Sequence, residues 1–327
     1  LPGSSIEQVY DDAKEIAGEA LRLSEENTEK ASVSLCGKKT RALVRNSLSH
    51  PVQGLVKVPA RMSGAETQQL LELDGTVSHY GWTETLKPWS ISKLALKKPD
   101  PDAFFWDGKT LTTPFWRASF LDGSLRAGKD EGCLFKLHDR IRRKDVFSSP
   151  GNRFQAFEDR PSFCEPWEVD RNFETHPKEL FTKARQEIVA TGPLIFVVRT
   201  VFESKASKLV QDIRFYAFSP RIDFVTWCDW HERRTMLKVA FPFNIKAAQS
   251  TAEAAFGLLK RPMTRATPVE QEMFETPMHR FADLSEEGYG VSLLNNCKYG
   301  YDGKGTTLRQ TLQKSPPYPE FQPVPEQ

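Results

Sequence analysis

The beginning of the chain repeats apolar residues at steps of three and four positions, which is the period of an amphipathic α-helix. Ser5 stands three residues before Gln8, the spacing of a capping box at a helix N-terminus. Because no second long helix is evident further along, this stripe lacks a partner to pack against. We therefore expect residues 1–36 to form one long helix of a helical bundle. The apolar stripe consists of Ile6, Val9, Tyr10, Ala13, Ile16, Ala17, Ala20 and Leu21.

From about Arg41 the apolar residues alternate with a period of two, which predicts β-strands. Residues 37–99 are predicted to form a small β region and a linker, with a strong turn signal at Asp74-Gly75. Strands separated by turns dominate residues 100–327, so the sequence predicts a mainly β fold with a large β-sandwich. Its clearest strands are predicted to form a consecutive meander near residues 188–190, 194–202, 213–218, 224–230 and 236–241.

Composition excludes several classes of protein. The chain has 327 residues with 45 basic and 43 acidic side chains, and a net charge this small does not suggest a nucleic-acid partner. No apolar run is long enough to span a bilayer, so no membrane partner is expected. The five cysteines are widely spaced and no N-glycosylation sequon occurs, which favours free thiols and a cytoplasmic location. The chain starts at Leu1 without a methionine, so the missing signal peptide decides nothing.

The sequence Asp229-Trp230-His231-Glu232 is the first candidate for chemistry. A zinc hydrolase motif would need a second histidine one helical turn away, so that both ligands share one face. Here the flanks are strand-like and neighbouring side chains point to opposite faces. We therefore interpret these residues as the polar rim of a β-hairpin.

Two further segments carry polar and aromatic residues together. Residues 151–170 interleave acids, arginines and aromatic rings, which suits stacking on sugars and bonding to their hydroxyls; a surface loop with local ion pairs is the alternative. Residues 281–305 combine an apolar strand with a glycine-rich turn in which Lys304 offers a mobile cation. An exposed hairpin tip is the alternative there. The substrate-binding candidates from these segments are Asp159, Trp167, Asp170, Tyr301 and Lys304.

Several motifs in order resemble the C-terminal half of a glycoside hydrolase family 38 α-mannosidase, with the greatest similarity to its bacterial and cytosolic or vacuolar branch. They resemble the family's patterns along essentially the whole chain. Cys164 and Glu165 depart from the usual Trp-Asp, and Pro166 from the usual alanine, which weakens the expectation of sugar contact in that segment. The matching motifs are residues 229–232 with 237–242, Phe256-Gly257, Arg261-Pro262, Phe274-Glu275, residues 279–285, residues 288–300, and residues 152–161 with Trp167 and Asp170.

The resemblance implies a galactose-mutarotase-like supersandwich for residues 100–327. It also implies that the intact enzyme is a retaining α-mannosidase in which a zinc ion holds the sugar hydroxyls. The family's catalytic aspartates and zinc ligands precede the position of Leu1, so no catalytic residue and no metal ligand is expected in this chain. The implied partners are the enzyme's own N-terminal barrel and mannose-containing glycans, and a homo-oligomer is possible.

Two alternatives from other classes remain open. One is a stand-alone carbohydrate-binding or interaction module, which would leave the apolar stripe on the helix without a partner. The other is an independent hydrolase that uses His231 and nearby acids, which the strand geometry disfavours.

Overall fold

The computed structural model describes residues 7–36, 42–120, 132–160 and 168–316. Contacts between Cα atoms divide the chain into two compact units, Leu1–Asp100 and Pro101–Gln327. The domain boundary expected between residues 99 and 100 lies one position before this division. The separate small β region expected for residues 37–99 stays a prediction.

The first unit begins with helix α1, Glu7–Cys36, and continues with two small antiparallel sheets. The predicted turn at Asp74 is present: its carboxylate accepts a hydrogen bond from the Thr76 backbone N–H (2.9 Å), and Gly75 has a φ of +82°. One sheet pairs β1 with β5, and the other has the order β2-β4-β3. The strands are β1 Leu43–Asn46, β2 Leu55–Lys57, β3 Thr67–Leu71, β4 Val77–Trp82 and β5 Ser90–Lys93, with a 3₁₀ turn at Ala60–Met62.

Helix α1 exposes much of its apolar stripe. Val9 is 48% exposed, Ile16 is 72% exposed and Leu21 is 63% exposed. Apolar side chains on a surface helix normally face a core. The described residues of the first unit therefore leave this stripe without a packing partner.

Within its described residues, the second unit contains four antiparallel sheets, which confirms the predicted mainly β fold with one long N-terminal helix. Their strand orders are β10-β9-β8-β7-β6, β13-β14-β15-β16, β12-β11-β17-β24-β23-β20 and β19-β18-β21-β22. The strands from β6 to β15 are Phe105–Trp106, Thr110–Thr112, Trp116–Phe120, Leu134–Asp139, Lys144–Asp145, Arg153–Glu158, Pro177–Lys178, Lys183–Thr191, Ile195–Glu203 and Lys208–Tyr216. Those from β16 to β24 are Ile222–Asp229, Thr235–Pro242, Gln249–Ala254, Gly257–Pro262, Thr276–Pro277, Phe281–Glu286, Tyr289–Leu294, Gly300–Lys304 and Thr307–Lys314. Short helical turns lie at Phe173–Thr175, Pro268–Gln271 and Glu272–Phe274.

The core of this unit lies between the sheets. Phe196 of β14, Phe241 of β17 and Leu308 of β24 are buried in one cluster that draws residues from all four sheets. Strand β17 is buried on both faces, since all of its residues except Pro242 are buried. Its inner face contributes Val239 and Phe241 to this core, so its outer face must be covered by something else.

One predicted connection is wrong. The meander expected from residue 188 onward holds for β13, β14, β15 and β16, but β17 leaves that sheet and pairs with β11 and β24. Residues 230–234 therefore connect two different sheets and do not form the turn of a β-hairpin.

Candidate functional site: a buried charge cluster and its rim

A lysine lies at the centre of β17, the strand that is buried on both faces. Lys238 on β17 is 0% exposed, and its Nζ lies 2.9 Å from Asp302 Oδ2 and 2.8 Å from Thr311 Oγ1. The carboxylate of Glu275 completes its set of partners. A buried charge is tolerated in a protein only when it is paired and hydrogen-bonded, and this cluster meets both conditions.

An arginine extends the cluster along β24. Arg309 Nε lies 3.0 Å from Asp302 Oδ1 and 3.1 Å from Oδ2, and Arg309 Nη2 donates to Glu174. Burial alone would lower the pKa of Arg309, but Asp302 and Glu174 outweigh it and raise that pKa. Cations and carboxylates therefore alternate from Lys238 to Glu174 across three strands and the segment above them.

That segment, residues 168–176, covers the outer face of the six-stranded sheet. Phe173 is 1% exposed, and its ring centroid lies 5.3 Å from Lys238 Nζ and 5.4 Å from Arg309 Cζ. The ring also packs edge-on against Phe157, with centroids 4.9 Å apart, and joins Met236 in a small apolar cluster. The aromatic face keeps water from both cations while still attracting them electrostatically.

Lys304 stands at the rim of the cluster, at the end of β23. Its Nζ lies 2.9 Å from Glu174 Oε2, and the two side chains are 56% and 39% exposed. Burial alone would raise the pKa of Glu174, but hydrogen bonds from Lys304 and Arg309 hold it below its ordinary value. Gly305 follows with a φ of +64°, which turns the chain into β24.

Tyr301 lies on the opposite face from Lys304. It is 1% exposed, and its hydroxyl lies 3.2 Å from Arg261 Nη1 and 3.4 Å from Ser250 Oγ in the core. Side chains alternate along β23, so an inward Tyr301 accompanies an outward Lys304. The structure thus places Tyr301 among core residues, and its role as a substrate-binding residue stays a prediction.

The other predicted loop carries Asp159, Trp167 and Asp170, and it meets the covering segment at its N-terminal end, near residue 168. Asp159 is 2% exposed, and its Oδ2 lies 3.3 Å from Lys314 Nζ. Burial raises the pKa of Asp159, with Lys314 opposing the shift. Asp170 accepts a hydrogen bond from the Asn172 backbone (2.8 Å). Trp167 lies outside the described residues.

The structure thus brings two segments, chosen separately from the sequence, to one face. Asp170 belongs to the covering segment, and Glu174 four residues later holds Lys304, which is 130 positions away in sequence. Local sequence patterns do not single out three other charged groups of this face, Lys238, Glu275 and Arg309. One signal was available, because a lysine inside the apolar run of β17 must find buried partners.

The Asp229 to Glu232 segment is structural in this chain. Glu232 accepts hydrogen bonds from Ser204 Oγ (2.8 Å) and Ser207 Oγ (3.3 Å), and its Oε2 pairs with Lys178 Nζ (3.1 Å). His231 Nε2 lies 2.8 Å from Asp229 Oδ1, but both of these side chains are more than half exposed. Glu232 therefore secures the crossing between two sheets, while His231 lies on the surface.

Within the described ranges, no three or more His, Cys, Asp or Glu side chains lie in an arrangement that could hold a metal ion. No helix found in those same ranges has the length and apolar character needed to cross a membrane.

Residues 124–322, more than half of the chain, match the model of the glycosyl hydrolases family 38 C-terminal domain. The chain belongs to glycoside hydrolase family 38. This membership confirms the family that the sequence motifs predicted.

Relatives of this family 38 chain are named as α-mannosidases. It is 36% identical over 176 residues to Alpha-mannosidase 2C1 of Homo sapiens, which covers 52% of this chain and 16% of that protein. The match to Alpha-mannosidase 2C1 of Mus musculus is 29% identical over 332 residues and covers 98% of this chain and 30% of that protein. The chain thus spans less than a third of the length of either relative.

A solved structure shows the same fold. The crystal structure of an alpha-mannosidase from Enterococcus faecalis V583 superimposes with a TM-score of 0.55 at 13% identity, over 88% of this chain and 36% of that one. At this level of identity the likeness concerns the fold of the family 38 chain alone.

Proposed function

We propose that this chain is the C-terminal β-domain of a zinc-dependent, retaining α-mannosidase, and that it supports the catalytic barrel and completes the substrate cleft. Its membership of the family 38 C-terminal domain supports the first part. The exposed stripe on α1, with Ile16 72% exposed, supports packing against the remainder of a longer enzyme. The expected cytoplasmic location and the expected mannose-containing substrate belong to the same proposal.

The cleft role rests on one observation, the way Lys304 is held. Its side chain is more than half exposed, yet Glu174 ties its ammonium group to the buried pair of Arg309 and Asp302. A cation fixed on a rigid strand end can donate hydrogen bonds to sugar hydroxyls without losing much conformational freedom. Asp170 belongs to the segment that carries Glu174, and in this proposal it is a further acceptor for the sugar.

Two carboxylates of the barrel would perform the displacement in a retaining enzyme, one as nucleophile and one as acid and then base. Zinc is expected in the intact enzyme from the resemblance. The described residues of this chain offer no ligand group that fits it, so no step through the metal is assigned to them. The part of this chain in the reaction is to position and enclose the sugar.

Lys304→Ala in the longer polypeptide tests the cleft role. We expect kcat/KM for an aryl α-mannoside to fall at least about tenfold, equivalent to roughly 1.4 kcal/mol of transition-state binding. The melting temperature should barely change, because an exposed ion pair contributes only about 0–1 kcal/mol. Arg185→Ala, which removes another exposed ion pair, is the matched control. Wild-type kinetics for Lys304→Ala would refute the cleft role and leave the family membership intact.

A stand-alone carbohydrate-binding module is the competing proposal. It predicts that the 327-residue chain binds mannose oligosaccharides by itself, which isothermal titration calorimetry would detect. Our proposal predicts that the chain alone neither hydrolyses an aryl α-mannoside nor retains zinc through dialysis. One zinc per chain together with turnover would contradict our proposal.

A further inference from the structure

We propose that the β18–β19 hairpin edge, defined as Phe256, Leu258, Leu259 and Lys260, docks on the part of the longer mannosidase polypeptide that lies outside this chain. The inference rests on the proposed function and names the surface through which the domains meet. Four observations carry it: an exposed aromatic tip, an unfavourable backbone conformation, an uncovered edge strand and an unpaired charge.

The tip of the hairpin is an aromatic ring that contacts little of this chain. Register pairs Ala254 with Gly257, so Ala255 and Phe256 form a two-residue turn. Phe256 is 110% exposed, which means that its ring has no more shielding than in an extended peptide. Its φ is +57°, a region that favours glycine and asparagine and disfavours bulky side chains. Within this chain, the phenyl ring offsets neither its exposure nor its backbone strain.

Strand β19 presents apolar side chains on both of its faces. It stands at the end of the sheet β19-β18-β21-β22, so β18 is its one neighbour in that sheet. Leu258 is 62% exposed and Leu259, which points to the opposite face, is 49% exposed. An edge strand with exposed leucines on both faces is a template for pairing with another segment, and native proteins normally cover such an edge.

Charge decides between a second copy and a different segment as the occupant. Lys260 is exposed and makes no ion pair in the part of the chain that the structure describes. Two copies of β19 paired antiparallel about Leu259 would gather two Lys260 and two Arg261 side chains along one short seam, where like charges repel. A segment of different sequence that supplies a carboxylate beside an apolar patch avoids that repulsion.

The length of the relatives indicates where this segment comes from. Nearly all of this chain aligns with only 30% of the Mus musculus protein, so most of such a polypeptide is available to cover the edge. The opposite edge of the same sheet supplies a control, because Leu294 on β22 is 70% exposed while the β21–β22 turn has a glycine, Gly288, at its positive φ of +76°.

Hydrogen exchange of the 327-residue chain and of the longer polypeptide tests the docking. We expect amides of residues 254–262 to exchange at least about tenfold more slowly in the longer polypeptide, and amides of residues 289–294 to change little. This measurement needs no activity, so a failure of the mannosidase proposal and a failure of the docking proposal are separate results. Equal exchange of residues 254–262 in both proteins would overturn the docking.

Phe256→Gly supplies a second test, because it should change the melting temperature differently in the 327-residue chain and in the longer polypeptide. Glycine relieves the positive φ, so the melting temperature of the 327-residue chain should stay the same or rise. In the longer polypeptide the lost ring contact should lower the melting temperature, as should Leu258→Ser, whereas Leu294→Ser should not. A rise in both proteins would overturn the proposal. So would self-association of the chain that Phe256→Gly abolishes, because a second copy would then be the occupant.

Discussion

Replacing Lys238 with methionine should remove a large part of the stability of the β-domain. The side chain is 0% exposed, and methionine fills a similar volume, so the loss comes from the charge and not from a cavity. Its removal leaves two carboxylates, Asp302 and Glu275, without their shared cation. Removing one partner of a buried ion pair costs about 3–5 kcal/mol in measured cases.

The contacts that remain after Lys238→Met indicate a loss in the free energy of unfolding near the lower limit of that range. Asp302 is 1% exposed but keeps the hydrogen bonds from Arg309 Nε, at 3.0 and 3.1 Å. Glu275 keeps the hydrogen bond from Thr311 Oγ1 at 2.6 Å, and its side chain is 14% exposed. Lys238→Met should therefore lower the free energy of unfolding by about 3 kcal/mol.

Urea unfolding at neutral pH, followed by far-UV circular dichroism, measures this loss through the shift of the midpoint. Lys304→Met is the matched control, because it also removes an ion pair but at a side chain that is 56% exposed. The control should lose no more than about 1 kcal/mol. Adding Glu275→Gln to Lys238→Met should recover stability, since it neutralises the carboxylate that lost its cation. A Lys238→Met protein within about 1 kcal/mol of wild type would refute the reasoning, as would a double variant less stable than the single one.

Three further predictions follow from individual contacts. Glu232→Gln should lower the free energy of unfolding by about 1–3 kcal/mol because the Glu232 side chain is only 11% exposed and loses its ion pair with Lys178, whereas His231→Ala at an exposed site should change it by less than about 0.5 kcal/mol in the same urea assay. Gly303→Ala should destabilise because the new Cβ would lie 2.6 Å from Met263 Sδ, and it should lower the melting temperature less in a Met263→Ala background, where that sulfur is absent. Hydrogen bonds from Arg280 lower the pKa of Glu253 to about 2 from an ordinary 4.5. The stability that this ion pair gives the folded state is therefore complete above pH 4.5 and is lost as the pH falls toward 2. Melting curves of Glu253→Gln should show a smaller fall of stability across that interval, and an unchanged pH profile would contradict the assignment.

Much of the architecture could be read from the sequence, because it follows from local periodicity. A 3.6-residue stripe predicts the long helix, and alternation with turn signals predicts the strands, since neighbours along the chain decide which side chains share a face. Motifs such as Asp229 to Glu232 and Phe256-Gly257 were enough to predict the family, which the matching domain model confirms. The pleat of a strand also separates residues 301 and 304, because they are an odd number of positions apart and therefore face opposite sides.

Tertiary structure alone decided which elements meet. The exit of β17 from the meander depends on its pairing with β11 and β24, strands that are distant in sequence. The bond between Lys304 and Glu174 joins residues 130 positions apart, and no local pattern specifies it. Periodicity shows that two side chains share a face, but burial of that face depends on what the rest of the chain lays over it. Lys238 is the clearest case: an isolated strand would expose its charge to water, and only the assembled sheet, with Phe173 above it, encloses that charge among carboxylates.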